Sequence, residues 1–224
     1  METAWKAGLE DVIATRSAIC QVDGAAGKLY YRGYEIGEVA GNIPFEDVTA
    51  LLWHGELPSP AASAQFASRL EAARGLPAAV ADLLRTLPRD SHPLDALRTA
   101  VSLAATRDLD VRSSDPEANL RKAFRLMTLV PETVAAWQRI RTGRAPVAAP
   151  VSGSHAAYFL ELLEGRAPSR EVAPVLDLVL TLHADHELNA STFAARVGVA
   201  TLTDLHAAIV AAIATLKGPR HGGA

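Results

Sequence analysis

Apolar positions along the chain follow two different periods. In the first forty residues they form two short stretches around an Asp23-Gly24 turn, in AICQVDGAAGKLYYRGY, with Tyr30 and Tyr31 paired in the second. Short apolar runs flanking such a turn predict a small β-hairpin. From Pro44 onward the spacing is helical. PFEDVTALLWHGELP begins at a proline, carries acids in its first turn and stops at Gly55 and Pro58. SPAASAQFASRLEAARG is ended by Gly75, and LPAAVADLLRTLP by Pro88. SHPLDALRTAVSLAAT opens with Ser91 and Pro93 and sets Leu94, Leu97, Val101 and Ala104 on one face. Ser114 and Glu117 have capping-box spacing ahead of NLRKAFRLMTLV. Pro131 has no amide proton, so it is expected to bend or break that helix before ETVAAWQRIRTG resumes.

RAPVAAPVSGS has linker composition, but its length suits a surface loop better than a domain boundary. HAAYFLELLEG, SREVAPVLDLVLTLHADHE, STFAARVGVATL and TDLHAAIVAAIATLKG follow as helices. In the last, Leu205, Ile209, Ala212, Ile213 and Leu216 form the apolar stripe, and the alanines between allow a neighbouring helix to come close. Gly218 and Pro219 end it. There is no fixed-period repeat. The expected fold is all-α, a multi-helix body with a small N-terminal β-hairpin.

Composition agrees. The chain has 224 residues and is 49% hydrophobic, 21% charged and only 5% aromatic, as expected of helices packed on small side chains. The net charge is −3, and Lys and Arg are scattered singly, so no basic face for nucleic acid is expected. One cysteine, Cys20, excludes an internal disulfide and suits a reducing compartment; in its apolar run SAICQV a buried, inert thiol is expected. METAWKAGLEDV lacks the layout of a secretion signal, and no apolar run approaches the ~20 residues of a membrane span. A soluble, cytoplasmic protein is the expectation.

Seven histidines are available for chemistry. His54, His92, His155 and His206 stand at helix ends or in first turns, where a cap or a polar core role is expected. Two other places stand out. In HADHELNAST, His183 and His186 are three apart and would share a helix face, with Asp185 and Glu187 beside them. Two histidines and a carboxylate could bind a metal, although no HExxH pattern or cysteine partner accompanies them. The same cluster could bind a small carboxylate through imidazole and backbone donors, or could only satisfy itself. The second place is His221 in LKGPRHGGA. Gly218, Gly222 and Gly223 strip bulk from both sides of it, which suits a general acid or hydrogen-bond donor; a flexible tail is the plain alternative.

LHADHELNASTFAARV followed by LKGPRHGGA resembles the citrate synthase family, whose members carry a HxDHE-N-S-T stretch and then GPxHGG(A). VDGAAGKLYYRGYEIGEVA, FEDVTALLWHGELP, HPLDALRTAVS and LVPETVAAWQRIRTGRAP are similar to further landmarks of that family, in the same order along nearly the whole chain. The resemblance implies a large, mostly α domain with a short β element, paired into a homodimer. It implies condensation of oxaloacetate with acetyl-CoA to citrate and coenzyme A, a step of the tricarboxylic acid cycle. Propionyl-CoA, giving 2-methylcitrate, or a non-catalytic binding or assembly homologue are the alternatives. His221 then corresponds to the catalytic histidine that donates to the thioester oxygen. His186 corresponds to the histidine that binds oxaloacetate, with Asn189 and Ser191 as positioning residues. No metal and no cofactor is implied beyond the coenzyme A thioester, which is substrate.

Two departures accompany the resemblance. HAAYFL places Tyr158 where many members have asparagine. The family's smaller domain, with a GHR histidine, the catalytic aspartate and most arginines, follows GGA, and no GHR occurs in this sequence. The expected organisation is therefore a large helical domain over residues 1–219 and the start of a hinge and active-site loop over 220–224, without the small domain. The chain is expected to be a fragment inactive alone, a half-enzyme completed by a second chain, or a non-catalytic assembly protein. A metal-dependent hydrolase built on His183, Asp185 and His186 is the remaining possibility.

Overall fold

The N-terminal β element has three strands, one more than the apolar pattern predicts. Strands β1 (Cys20–Asp23) and β2 (Lys28–Tyr31) pair antiparallel, with Cys20 opposite Tyr31 and Asp23 opposite Lys28. Strand β3 (Tyr34–Glu35) folds back so that Tyr34 lies opposite Tyr31. The reversal uses φ of 50° at Arg32 and 94° at Gly33, the positive values that a two-residue hairpin turn requires. Arg32 is held there by its Nη2, which donates to Leu52 O at 2.7 Å. A two-residue strand is too short to leave an alternating pattern, so it escapes sequence reading. The computed structural model describes residues 15–148 and 153–222; the expectations for METAWKAGLEDV, for the middle of the RAPVAAPVSGS loop and for Gly223 fall outside these.

Ten helices follow among the described residues: α1 (Ile36–Val39), α2 (Phe45–His54), α3 (Pro60–Ala72), α4 (Ala78–Thr86), α5 (Pro93–Ala105), α6 (Pro116–Arg141), α7 (His155–Glu164), α8 (Val172–Leu182), α9 (Ala190–Ala200) and α10 (Leu205–Leu216). Their ends follow local chemistry. Gly55 closes α2 at φ 95°, and the side chains of Ser59, Ser154 and Asp204 accept from the backbone N–H groups of Ala62, Ala157 and Ala207. The cap of α6 is Asp115, not the Ser114–Glu117 box: its Oδ1 accepts from Glu117 N at 2.9 Å and Ala118 N at 3.1 Å. Pro116 at the first helical position holds Asp115 in extended backbone, which aims the Asp115 carboxylate at these amides.

Pro131 does not break α6, which continues for 26 residues. Leu126 and Leu129 before it and Ala136 and Trp137 after it are buried in one cluster with α4, α5 and Ile213 of α10. Burial on both sides of the proline offsets the one backbone hydrogen bond it cannot make. A second cluster joins Cys20 and Tyr31 of the sheet to Val48 and Leu51 of α2. The expected close approach of helices occurs where Ala208 of α10 meets Gly198 of α9, with Ala208 fully buried. By contrast Val172, Val175, Val179 and Leu182 leave an apolar stripe of α8 exposed. Cys20 is buried, and desolvation pushes its thiol up to about 11, in keeping with an inert role.

Candidate functional site

Asn189 caps α9, with its Oδ1 accepting from Thr192 N at 3.0 Å and from Ser191 Oγ at 2.8 Å. After α10 the chain folds into a tight turn, in which His221 N donates to Gly218 O at 2.9 Å and Gly222 N to the same oxygen at 3.3 Å. A Cβ on Gly222 would lie 2.9 Å from Leu216 Cδ1, so the turn closes on its own helix where only hydrogen fits without a shift. The turn brings His221 back over the first turn of α9. Its Nε2 lies 3.2 Å from Ser191 N and 2.8 Å from Ser191 Oγ.

The two contacts of Nε2 call for different tautomers. The Ser191 N–H donates to Nε2, which must then carry a lone pair. The reverse tautomer places Nε2–H on Ser191 Oγ, whose own proton goes to Asn189 Oδ1. In the tautomer that accepts the Ser191 N–H, the ring proton sits on Nδ1. An imidazole held in this way is a hydrogen-bond donor whose other nitrogen is committed to backbone.

Asn189 ends a loop, 183–189, whose first part, 183–187, the sequence pattern places on a helix. Helix α8 stops at Leu182, so His183 and His186 do not share a helix face. His183 instead caps α8, its Nδ1 2.8 Å from Val179 O. Where the helix ends, Tyr31 takes the Thr181 carbonyl. The fully buried Tyr31 hydroxyl is 3.0 Å from Thr181 O and 3.1 Å from Asp185 O, and accepts from Asp185 N at 3.3 Å. Burial raises the pKa of this hydroxyl, keeping it a donor. Glu187 adopts φ of 57°, a left-handed conformation costing roughly 1–3 kcal/mol in a non-glycine residue. Two bonds offset that cost: Glu187 N donates to Asp185 Oδ1 at 2.9 Å, and Glu187 Oε1 accepts from Val22 N at 2.8 Å.

Three of the four expected site residues, Asn189, Ser191 and His221, thus form one hydrogen-bonded chain. His186 lies three residues before Asn189 on the same loop, exposed, with no side-chain hydrogen bond among the described residues. Among those residues no group of three His, Cys, Asp or Glu side chains is arranged to hold a metal ion, and Asp185 Oδ1 is engaged by backbone. The metal-hydrolase arrangement of His183, Asp185 and His186 is not assembled. Tyr31 and Glu187, which shape the loop, were not picked out as site residues in the sequence; only the neighbourhood of Glu187 to the histidines marked it.

Three further histidines are structural. His92 Nδ1 accepts from Leu94 N at 3.1 Å and caps α5. His155 is buried, its ring pushed down to about 4 by desolvation, and its backbone N–H donates to Glu46 Oε1 at 2.5 Å. His206 is also buried, with Nε2 3.4 Å from Asp108 Oδ2; burial lowers its pKa. Tyr158 is fully buried away from the loop, and its hydroxyl donates to Glu132 Oε1, which also accepts from Gly75 N at 2.7 Å.

The family model described as "Citrate synthase, C-terminal domain" matches residues 8–224. The chain is 44% identical over 223 residues to the citrate synthase of Haloferax volcanii, covering 98% of this chain and 59% of that protein. It is 41% identical over 220 residues to a 2-methylcitrate synthase of Mycobacterium tuberculosis, covering 98% and 55% respectively. The crystal structure of citrate synthase from Pyrobaculum aerophilum superposes with a TM-score of 0.90 at 37% identity, covering 96% of this chain and 56% of that one. The chain spans a little under three fifths of the length of these relatives.

Proposed function

The chain belongs to the citrate synthase family, and on that premise we propose that it supplies the enol-stabilising half of a site that condenses oxaloacetate with acetyl-CoA. The observation that carries this reading is the bond from Ser191 N–H to His221 Nε2. With its proton on Nδ1, His221 can donate to a thioester carbonyl oxygen. As a carboxylate base removes the adjacent methyl proton, negative charge grows on that oxygen, and a pre-positioned donor stabilises it without reorganisation. The enol carbon then attacks the ketone of oxaloacetate, and hydrolysis of the citryl thioester releases citrate and coenzyme A. His186, exposed on the loop that Tyr31 and Glu187 shape, binds oxaloacetate, with Asn189 and Ser191 holding the first turn of α9 in place.

No residue of this sequence matches the family's carboxylate base or its GHR histidine. In this reading residues 1–219 are the large domain, 220–224 begin the hinge, and turnover requires residues that the 224 do not supply. The exposed α8 stripe is covered by a second copy, giving a homodimer. No helix among the described residues is long and apolar enough to cross a membrane, and a cytoplasmic setting suits the single reduced thiol. Propionyl-CoA is the second acyl donor to consider, because relatives named 2-methylcitrate synthase match over the same residues.

Oxaloacetate titrated into isotopically labelled chain, followed by the imidazole resonances of His186 and His221, tests the reading. Saturable shifts of His186 are expected, together with loss of the response in His186→Ala. Histidines unmoved by oxaloacetate favour a non-catalytic assembly homologue, which would keep the exposed α8 stripe without the chemistry.

A further inference from the structure

A lysine is rarely fully buried unless a carboxylate pairs with it. Lys122, in the second turn of α6, is 2% exposed, and among the described residues no carboxylate lies within 4.0 Å of its Nζ. Its one hydrogen bond runs to Ser113 O at 2.6 Å, leaving two N–H donors on a buried ammonium. Lys122 also lines a cavity of about 700 Å3 between the chain leading into α6 and the corner joining α9 to α10. Arg112, exposed and without an ion pair among the described residues, lines the same cavity, and Val199 and Leu202 form an apolar side. Asp204 is the carboxylate on the wall, and its Oδ1 is occupied in capping α10 through Ala207 N at 2.9 Å.

We propose that this cavity binds a phosphate-class anion, seated on Lys122 and Arg112, with any organic part of a phosphate ester against Val199 and Leu202. The buried cation lacks a counter-ion, and the cavity beside it has room and a second cation to hold a dianion. The site is separate from His221: Val199 and Ser191 stand at opposite ends of α9, about 12 Å apart along its axis. It does not rest on the condensation reading.

Thermal unfolding in sodium phosphate, against sodium chloride at equal ionic strength, tests it. Phosphate is expected to raise the melting temperature saturably. In Lys122→Met the chloride melting temperature should rise, because an unpaired buried charge is removed, and the phosphate effect should vanish. Arg112→Gln, a surface change that leaves folding intact, should weaken phosphate binding about tenfold, as loss of one charge-assisted contact does. Phosphate stabilising no better than chloride, or stabilising Lys122→Met equally, overturns the proposal. Coenzyme A added in competition separates the sources. Displacement of phosphate assigns the site to the coenzyme's own phosphate groups, and coexistence assigns it to a free phosphate or another ester; both support a Lys122 anion site.

Discussion

Tyr31 holds the backbone of Asp185 from both sides, its hydroxyl 3.1 Å from the Asp185 carbonyl and 3.3 Å from the Asp185 amide, across 154 positions of sequence. The hydroxyl therefore links the N-terminal sheet to the loop that carries His186 and Asn189. Tyr31→Phe keeps the ring in the core and removes only this link. We expect a loss of ~1–3 kcal/mol, the cost of leaving buried backbone groups unpaired, measured by urea unfolding. The His186 resonance should broaden or move in the same variant; an unchanged loop spectrum would show that Glu187 alone holds the loop.

The tautomer of His221 is directly observable. Nitrogen-15 shifts of its ring should report a proton on Nδ1, and Ser191→Ala should leave it there, because the backbone N–H remains the donor to Nε2. A proton found on Nε2 would remove the geometric basis for enol stabilisation.

Buried His155 makes the fold sensitive to acid. Its folded pKa, about 4, lies below the ordinary 6.5, so above pH 6.5 both states are neutral there and stability is unaffected. As pH falls from 6.5 toward 4 the unfolded chain takes up a proton that the native ring refuses, and stability is lost, by up to ~3 kcal/mol. His206, also lowered by burial, acts in the same direction. Unfolding measured between pH 7 and 4 should show this slope, and His155→Gln should flatten much of it.

Tyr158 is the residue that stands where many family members have asparagine. Its hydroxyl serves Glu132, whose carboxyl pKa is raised by burial, rather than the 183–189 loop. Tyr158→Phe should cost ~1–2 kcal/mol of stability while leaving the His221 resonances in place. A shifted His221 spectrum would tie this pair to the site.

The 224-residue chain by itself should show no oxaloacetate-dependent release of coenzyme A thiol from acetyl-CoA or propionyl-CoA. Turnover that disappears in His221→Ala would overturn that expectation. The exposed stripe of Val172, Val175, Val179 and Leu182 should drive self-association, read by sedimentation, and Val175→Lys with Val179→Lys should reduce it.

Most of the helical frame was legible locally. Gly55, Pro60, Pro93 and Gly218 mark boundaries because their constraints act within one turn of backbone, and apolar spacing along α5 marks its buried face, whereas in α10 Leu216 of the expected stripe is exposed and Ala208 is buried. His221, Asn189 and Ser191 were legible as residue types in a motif. The misjudged features depend on distant neighbours. Pro131 stays helical because packing on both sides outweighs one missing hydrogen bond, and at the end of α8 a tyrosine from the sheet takes the Thr181 carbonyl. His221 meets a serine amide 30 residues away. Turn and cap chemistry is short-ranged, so sequence alone placed most element ends, the end of α8 excepted. Burial and hydrogen-bond partnership depend on what the folded chain brings within a few ångströms, so only the tertiary structure decided which donor faces which acceptor.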